Sequence, residues 1–171
     1  MKIELIKNLV IVRHGLCTDF DEKGHFLQEP ALNLEGTERV RKLAELLVSF
    51  IGTKIPFILS SSALRARQSA EIIAQRFGTT FDASDFLWTG SGGKVLGLDE
   101  HFEAALKVVE SAESQVETLV LVAHQECVQW FPEFWGKKIG AGRNWANSEI
   151  SCATAWFIDC VAKTMKHIKP S

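Results

Sequence analysis

The sequence lacks most of the features that would direct a chain to a membrane, a nucleic acid or a metal cluster. Near its start the apolar run Leu9–Val12 spans only four residues. That is too short for a signal-peptide core, and no later stretch approaches the ~20 apolar residues of a membrane span. Cysteine is scarce: Cys17, Cys127, Cys152 and Cys160 have no paired zinc-type spacing, and four thiols do not make a disulfide scaffold. A reducing cytoplasm is the expected compartment. With 19 basic against 21 acidic side chains the net charge is −2, which gives no general pull towards nucleic acid or an anionic membrane. Any anion site must then be a local concentration of positive charge. There is no internal repeat, low-complexity tract or long linker, so a single domain, 1–171, is expected, large enough to fold without a staple.

What is present is a regular alternation of short branched apolar runs with helical stripes. Lys7–Val12 reads as a buried strand, and Asn33 as the N-cap of a helix reaching about Phe50. Its stripe is Val40, Leu43, Ala44, Leu47 and Ile51, spaced three and four apart. Pro56–Ser60 predicts a second strand and Ala63–Phe77 a second helix, with Ala66, Ala70, Ile73, Ala74 and Phe77 facing inwards. A short strand is expected within Thr79–Phe86, and a helix over Asp99–Ala112 that buries Phe102, Ala105, Leu106 and Val109. Thr118–Ala123 has the unbroken hydrophobicity of a central strand. A helix should start at Gln125, with Pro132 kinking or ending it, and strands are expected at Ala153–Asp159 and near Lys163–His167. Together these predict an α/β three-layer sandwich, a mostly parallel sheet with helices on both faces.

In such sheets ligands gather at the carboxyl ends of the strands. The first strand runs into Arg13-His14-Gly15, the second into Ser60-Ser61-Ser62 with Arg65 a turn later, and the central strand into His124. Parallel strands would bring two histidines and two arginines to one edge. Arginine offers a permanently charged fork matched to phosphate oxygens. A neutral imidazole is a competent nucleophile near pH 7. Gly15 would let a phosphate approach beside His14, and the helix start after His124 would add partial positive charge. Such a set can stabilise a transferring phosphoryl group without a metal.

These residues resemble the signature of the histidine phosphatase superfamily, the phosphoglycerate-mutase-like proteins. Val12-Arg13-His14-Gly15 matches its RHG motif, and Asn33-Leu34-Glu35-Gly36 resembles its Thr-x-x-Gly start of the first helix. Arg65-Ala66-Arg67-Gln68-Ser69-Ala70-Glu71 is similar to its Arg-Ala-x-Gln-Thr-Ala-Glu segment, and Val122-Ala123-His124 sits where its second histidine belongs. The resemblance implies that His14 becomes phosphohistidine, that Arg13, Arg65, Gly15 and His124 complete the phosphate pocket, and that water then releases phosphate. It implies no cofactor. The chain departs from the pattern in having Leu16-Cys17 after RHG, Gln125-Glu126 after the second histidine, and no Glu within residues 79–88 to protonate the leaving group. Asp85 and Glu126 are the candidate donors, with Asp99 and Glu100 as further substitutes.

A weak acid suits a good leaving group, since general-acid help matters most, at ~10²–10⁴-fold, where the leaving group is poor. The short connection between second helix and central strand also suggests an open site. In both respects the chain is similar to small bacterial protein-phosphohistidine phosphatases. The expected substrates are a phosphorylated protein or a small phosphate ester, with mutase-type transfer or non-catalytic phospholigand binding as alternatives. Neither nucleic acid nor membrane is an expected partner.

Other residues carry blander expectations. Ser60–Ser62 reads as a helix-capping turn. Trp88–Gly97 reads as a surface loop, while His25, His101 and His167 are expected at the surface. Cys17 and Cys127 are expected to be small packing residues, and the tryptophans to pack the core and its margins, one or two lining the site. Rival chemistries fail on spacing: no cysteine is followed six places on by Arg, and Trp88 and Val95 occupy the P-loop's first-Gly and Ser/Thr positions. His124-Gln125-Glu126 has no Pro-Cys-x-x-Cys to follow it.

Overall fold

The computed structural model describes residues 5–90, 92–112, 116–142, 145 and 150–171. Its centre is set by the two most continuous branched runs. β1 (Asn8–Arg13) and β4 (Thr118–Ala123) lie side by side in parallel, in register from Asn8↔Thr118 to Arg13↔Ala123. β2 (Phe57–Ser61) pairs in parallel with the other edge of β4, and β3 (Asp82–Ser84) with β2. Beyond β1, β5 (Ala155–Asp159) and β6 (Thr164–Ile168) form an antiparallel hairpin, so the order is β3-β2-β4-β1-β5-β6.

Alternate residues of the central strands feed two cores, as the period of two requires. Val10, Val12, Val120 and Val122 pack with α1 (Leu34–Ile51) and α2 (Leu64–Phe77) through Val40, Leu43, Leu47, Ala66, Ala70 and Ile73. Leu9, Ile11, Leu119 and Leu121 pack on the other face with α3 (Leu98–Glu110) and α4 (Gln125–Lys138) through Phe102, Leu106, Phe131 and Trp135. The three-layer, mainly parallel arrangement is the expected one, with three of five strand pairings parallel. Asn33 caps α1 as expected, its Oδ1 accepting from the Gly36 N–H at 2.7 Å.

Three local expectations are corrected. α4 continues through Pro132 to Lys138. The proline removes one backbone donor, but Phe131 and Phe134 beside it pack on Phe102, with Phe102–Phe131 centroids 4.7 Å apart, and the buried Trp135 stacks on Phe131, packing that holds the helix together. His101 is only 2% exposed rather than at the surface. The reason is its position on the inner side of α3, where its ring nitrogens meet the carbonyls of Phe86 at 3.0 Å and Lys94 at 2.8 Å. The stretch Trp88–Gly97 is not wholly a surface loop, since Thr89 is buried and Trp88 half-buried; Ser91 lies outside the described residues. His25 and His167 are exposed as expected. Among the described residues no helix is long and apolar enough to cross a membrane.

Candidate active site

The register places the site. Arg13 pairs with Ala123, so the next residues of two adjacent parallel strands are His14 and His124. Their ring centroids are 5.2 Å apart, edge to face, and they are 8% and 3% exposed. α2 starts where β2 ends, and its first turn sends Arg65 across both rings. Arg65 Nε donates to His14 Nε2 at 3.2 Å and Nη2 to His124 Nδ1 at 3.2 Å. One guanidinium therefore spans the two histidines with its fixed fork.

Hydrogen-bond polarity fixes the tautomers. The Nδ1–H of His14 donates to the Gly15 carbonyl at 2.7 Å, which leaves the lone pair on Nε2 facing Arg65. Burial lowers the His14 pKa from 6.5 to about 4, the Gly15 carbonyl opposing and the Arg65 and Arg13 charges adding to the fall. The ring is thus neutral and nucleophilic at neutral pH. His124 accepts at Nδ1, so its Nε2–H points to the Ser61 hydroxyl at 2.8 Å. Burial pushes its pKa well below the usual imidazole range, helped by His14 and Arg65.

Loops from three elements hold this pair. The Arg13 Nη1 donates to the Ile150 carbonyl at 2.6 Å. The Gly15 N–H donates to the Ser69 hydroxyl at 3.0 Å, which itself donates to the Arg65 carbonyl at 2.8 Å. Gln68 accepts from the Leu32 N–H at 2.8 Å, and Glu29 from the Leu64 N–H at 3.0 Å at the start of α2. The Arg-Ala-x-Gln-Ser segment is therefore a clamp on the β1–α1 connection as well as the source of Arg65. The space that Gly15 leaves is taken up by α1: a Cβ there would lie 2.8 Å from Val40 and 2.9 Å from the Gly36 carbonyl. Gly36 is equally constrained, with a Cβ only 2.0 Å from the Leu16 carbonyl.

The other sequence candidates fall outside this core. Asp85 is exposed and accepts from the Ser62 hydroxyl at 2.6 Å. Glu126, half-buried in the first turn of α4, receives the Thr89 hydroxyl at 3.4 Å beside Gly90. Neither is among the residues lining an open cavity of about 280 Å³ that holds Arg13, His14, Cys17, Asp19, Arg65 and Cys152. Asp99 and Glu100 belong to the first turn of α3. The Ser60–Ser62 turn does not cap α2 as expected: α2 has no side-chain cap at Ala63, and Ser61 is buried against His124 because β2 is paired to β4. Cys127 is fully buried, as expected, and burial raises its pKa. Cys17 does more than pack, since its thiol, pushed up to about 11 mainly by burial, donates to Asp19 Oδ1 at 3.4 Å. Trp88 stacks beside His124 at 6.5 Å, while Trp135 and Trp145 are buried. Ser61, Asp19 and Trp88 had no motif to mark them; only strand pairing and loop closure bring them here.

The sequence model of the histidine phosphatase superfamily (branch 1) matches residues 9–107. No curated protein matches the chain. Solved structures do: the protein histidine phosphatase SixA complexed with tungstate is similar with a TM-score of 0.60 and 16% identity, over 95% of this chain and 97% of that one. The mycobacterial glucosyl-3-phosphoglycerate phosphatase Rv2419c has a TM-score of 0.60 at 18% identity, over 96% and 99%. A protein of Escherichia coli K-12, provisionally named an alpha-ribazole-5'-P phosphatase, has a TM-score of 0.64 at 15% identity, over 97% of both chains. At these identities the likeness is one of fold.

Proposed function

The chain belongs to the histidine phosphatase superfamily and is a phosphatase by that membership; from this premise we propose that it hydrolyses a phosphohistidine protein or a small phosphomonoester through phospho-His14, without a metal. The observation that carries the reading is the Arg65 fork spanning His14 Nε2 and His124 Nδ1, both at 3.2 Å. An incoming phosphoryl group takes over these donors, with Arg13 and Arg65 supplying a local concentration of positive charge in a chain of net charge −2. His14 Nε2 attacks phosphorus in line with the leaving group, and the Gly15 carbonyl holds the Nδ1–H as positive charge develops on the ring. The negative charge of the phosphoryl group lets His124 take a proton at Nδ1 and donate to it. Water then cleaves the P–Nε2 bond.

Between the two substrate classes, phosphohistidine is favoured because Asp85 and Glu126 are engaged by the hydroxyls of Ser62 and Thr89. A leaving imidazole needs less acid assistance than an alkoxide. The reading is consistent with the fold shared with a protein histidine phosphatase. A cytoplasmic setting, where phosphorylated proteins of this kind would be met, belongs to the same proposal.

The test is hydrolysis of an aryl phosphate in EDTA by wild type and His14→Ala. Wild-type turnover is expected to persist in the chelator, and His14→Ala to lose it by roughly 10⁴-fold or more. Equal turnover in both would remove His14 as nucleophile. Phosphate binding without turnover in wild type would make the chain a phospholigand binder.

A further inference from the structure

The cavity beside His14 contains one carboxylate that no motif marks. Asp19 lies on a hairpin between β1 and α1, closed by the Leu27 N–H to Asp19 carbonyl bond at 2.8 Å and by bridges Phe20↔Phe26 and Cys17↔Leu32. The Asn33 N–H donates to the Leu16 carbonyl at 3.0 Å, tying the base of the hairpin to the cap of α1. The Asp19 backbone is thus fixed, while its side chain is exposed to the cavity shared with Arg13, His14 and Arg65. The Cys17 thiol donates to Oδ1 at 3.4 Å, which leaves Oδ2 for a water. The Asp19 charge also opposes the arginines at His14, acting to raise its pKa, so the carboxylate is within electrostatic reach of the nucleophile.

We propose that Asp19 is the general base of the second half-reaction, activating the water that attacks phospho-His14. The inference rests on the phospho-His14 reading above. In the step, the water oxygen bonds to phosphorus and one water proton passes to the Asp19 carboxylate. The P–Nε2 bond breaks with its electron pair returning to Nε2, and orthophosphate leaves. The proton on Asp19 then passes to bulk water, which restores the carboxylate for the next cycle. Asp85 and Glu126 have hydroxyl partners on the β2 and β4 side and do not line this cavity.

The two half-reactions separate in time if the second is slowed. Rapid-quench hydrolysis of a ³²P-labelled aryl phosphate in EDTA is run with wild type, Asp19→Asn and His14→Ala. Asp19→Asn is expected to release one equivalent of phenolate in a burst, then turn over about 10²-fold more slowly than wild type. It should accumulate label as an acid-labile, base-stable phosphoenzyme. Unchanged steady-state turnover, or slow turnover with no burst and no label, would overturn the assignment of Asp19 while leaving His14 intact. Turnover by His14→Ala at the wild-type rate, with no labelled protein in any variant, would instead overturn the underlying reading.

Discussion

The carboxyl ends of β1 and β4 place the same residue type in adjacent registers, yet the two histidines have been prepared for different tasks. At the β1 end, a backbone carbonyl one residue away holds Nδ1–H of His14 and leaves Nε2 available. At the β4 end, a side chain from a third strand, Ser61, takes Nε2–H of His124, and Nδ1 faces Arg65. A partner supplied by the next residue cannot move away without breaking the turn. A partner supplied by a neighbouring strand depends on sheet packing and can be tuned separately. The proposed nucleophile therefore has the local restraint, and the ring proposed to stabilise charge has the tertiary one.

That contrast can be broken from either side. His14→Ala removes the atom proposed to react and is the largest expected loss. His124→Ala should cost less, about 10²–10³-fold in kcat, because it removes a group that acts on developing charge and holds the Arg65 fork. Labelled phosphoenzyme should still form slowly in that variant, and failure to form any would mean that His124 is as indispensable as His14. Ser61→Ala should cost only about fivefold to tenfold in kcat, the worth of one net hydrogen bond, with KM little changed. A loss as large as that of His124→Ala would show that Ser61 does more than orient the ring.

The smallest effect sharpens the comparison through pH. Both rings have pKa values lowered on folding, His14 to about 4 and His124 further, so the folded chain binds fewer protons than the unfolded one. The stability from this source is complete above pH 6.5 and is lost as the pH falls towards 4. Thermal unfolding from pH 7 to pH 4 should show this slope in wild type and shallower ones in His14→Ala and His124→Ala. Equal slopes in all three would mean that the buried rings do not set the acid limb of stability.

Much of the architecture was legible from periodicity alone, since strands of branched residues and stripes at three and four spacings have one way to bury their apolar faces. The exceptions are instructive. Pro132 is expected to kink or end its helix because its missing donor is a local property, whereas the aromatic packing that carries α4 past it is not. The sequence places His101 at the surface because a lone polar residue in a helix carries no sign of the carbonyls that face it. Ser60–Ser62 has the composition of a cap, and only the pairing of β2 with β4 turns Ser61 towards His124.

The sequence by itself determined the order of strands and helices and the placing of His14, Arg65 and His124 at or just beyond three strand ends, because these follow from patterns that neighbouring residues impose. Tertiary structure alone decided that one guanidinium bridges both rings, that Gly15 is demanded by α1, and that Asp19 rather than Asp85 or Glu126 shares the His14 cavity. Those facts depend on strand register and on a hairpin folding back across the sheet edge. Such contacts join residues far apart in the chain, and no local pattern encodes the distance between them.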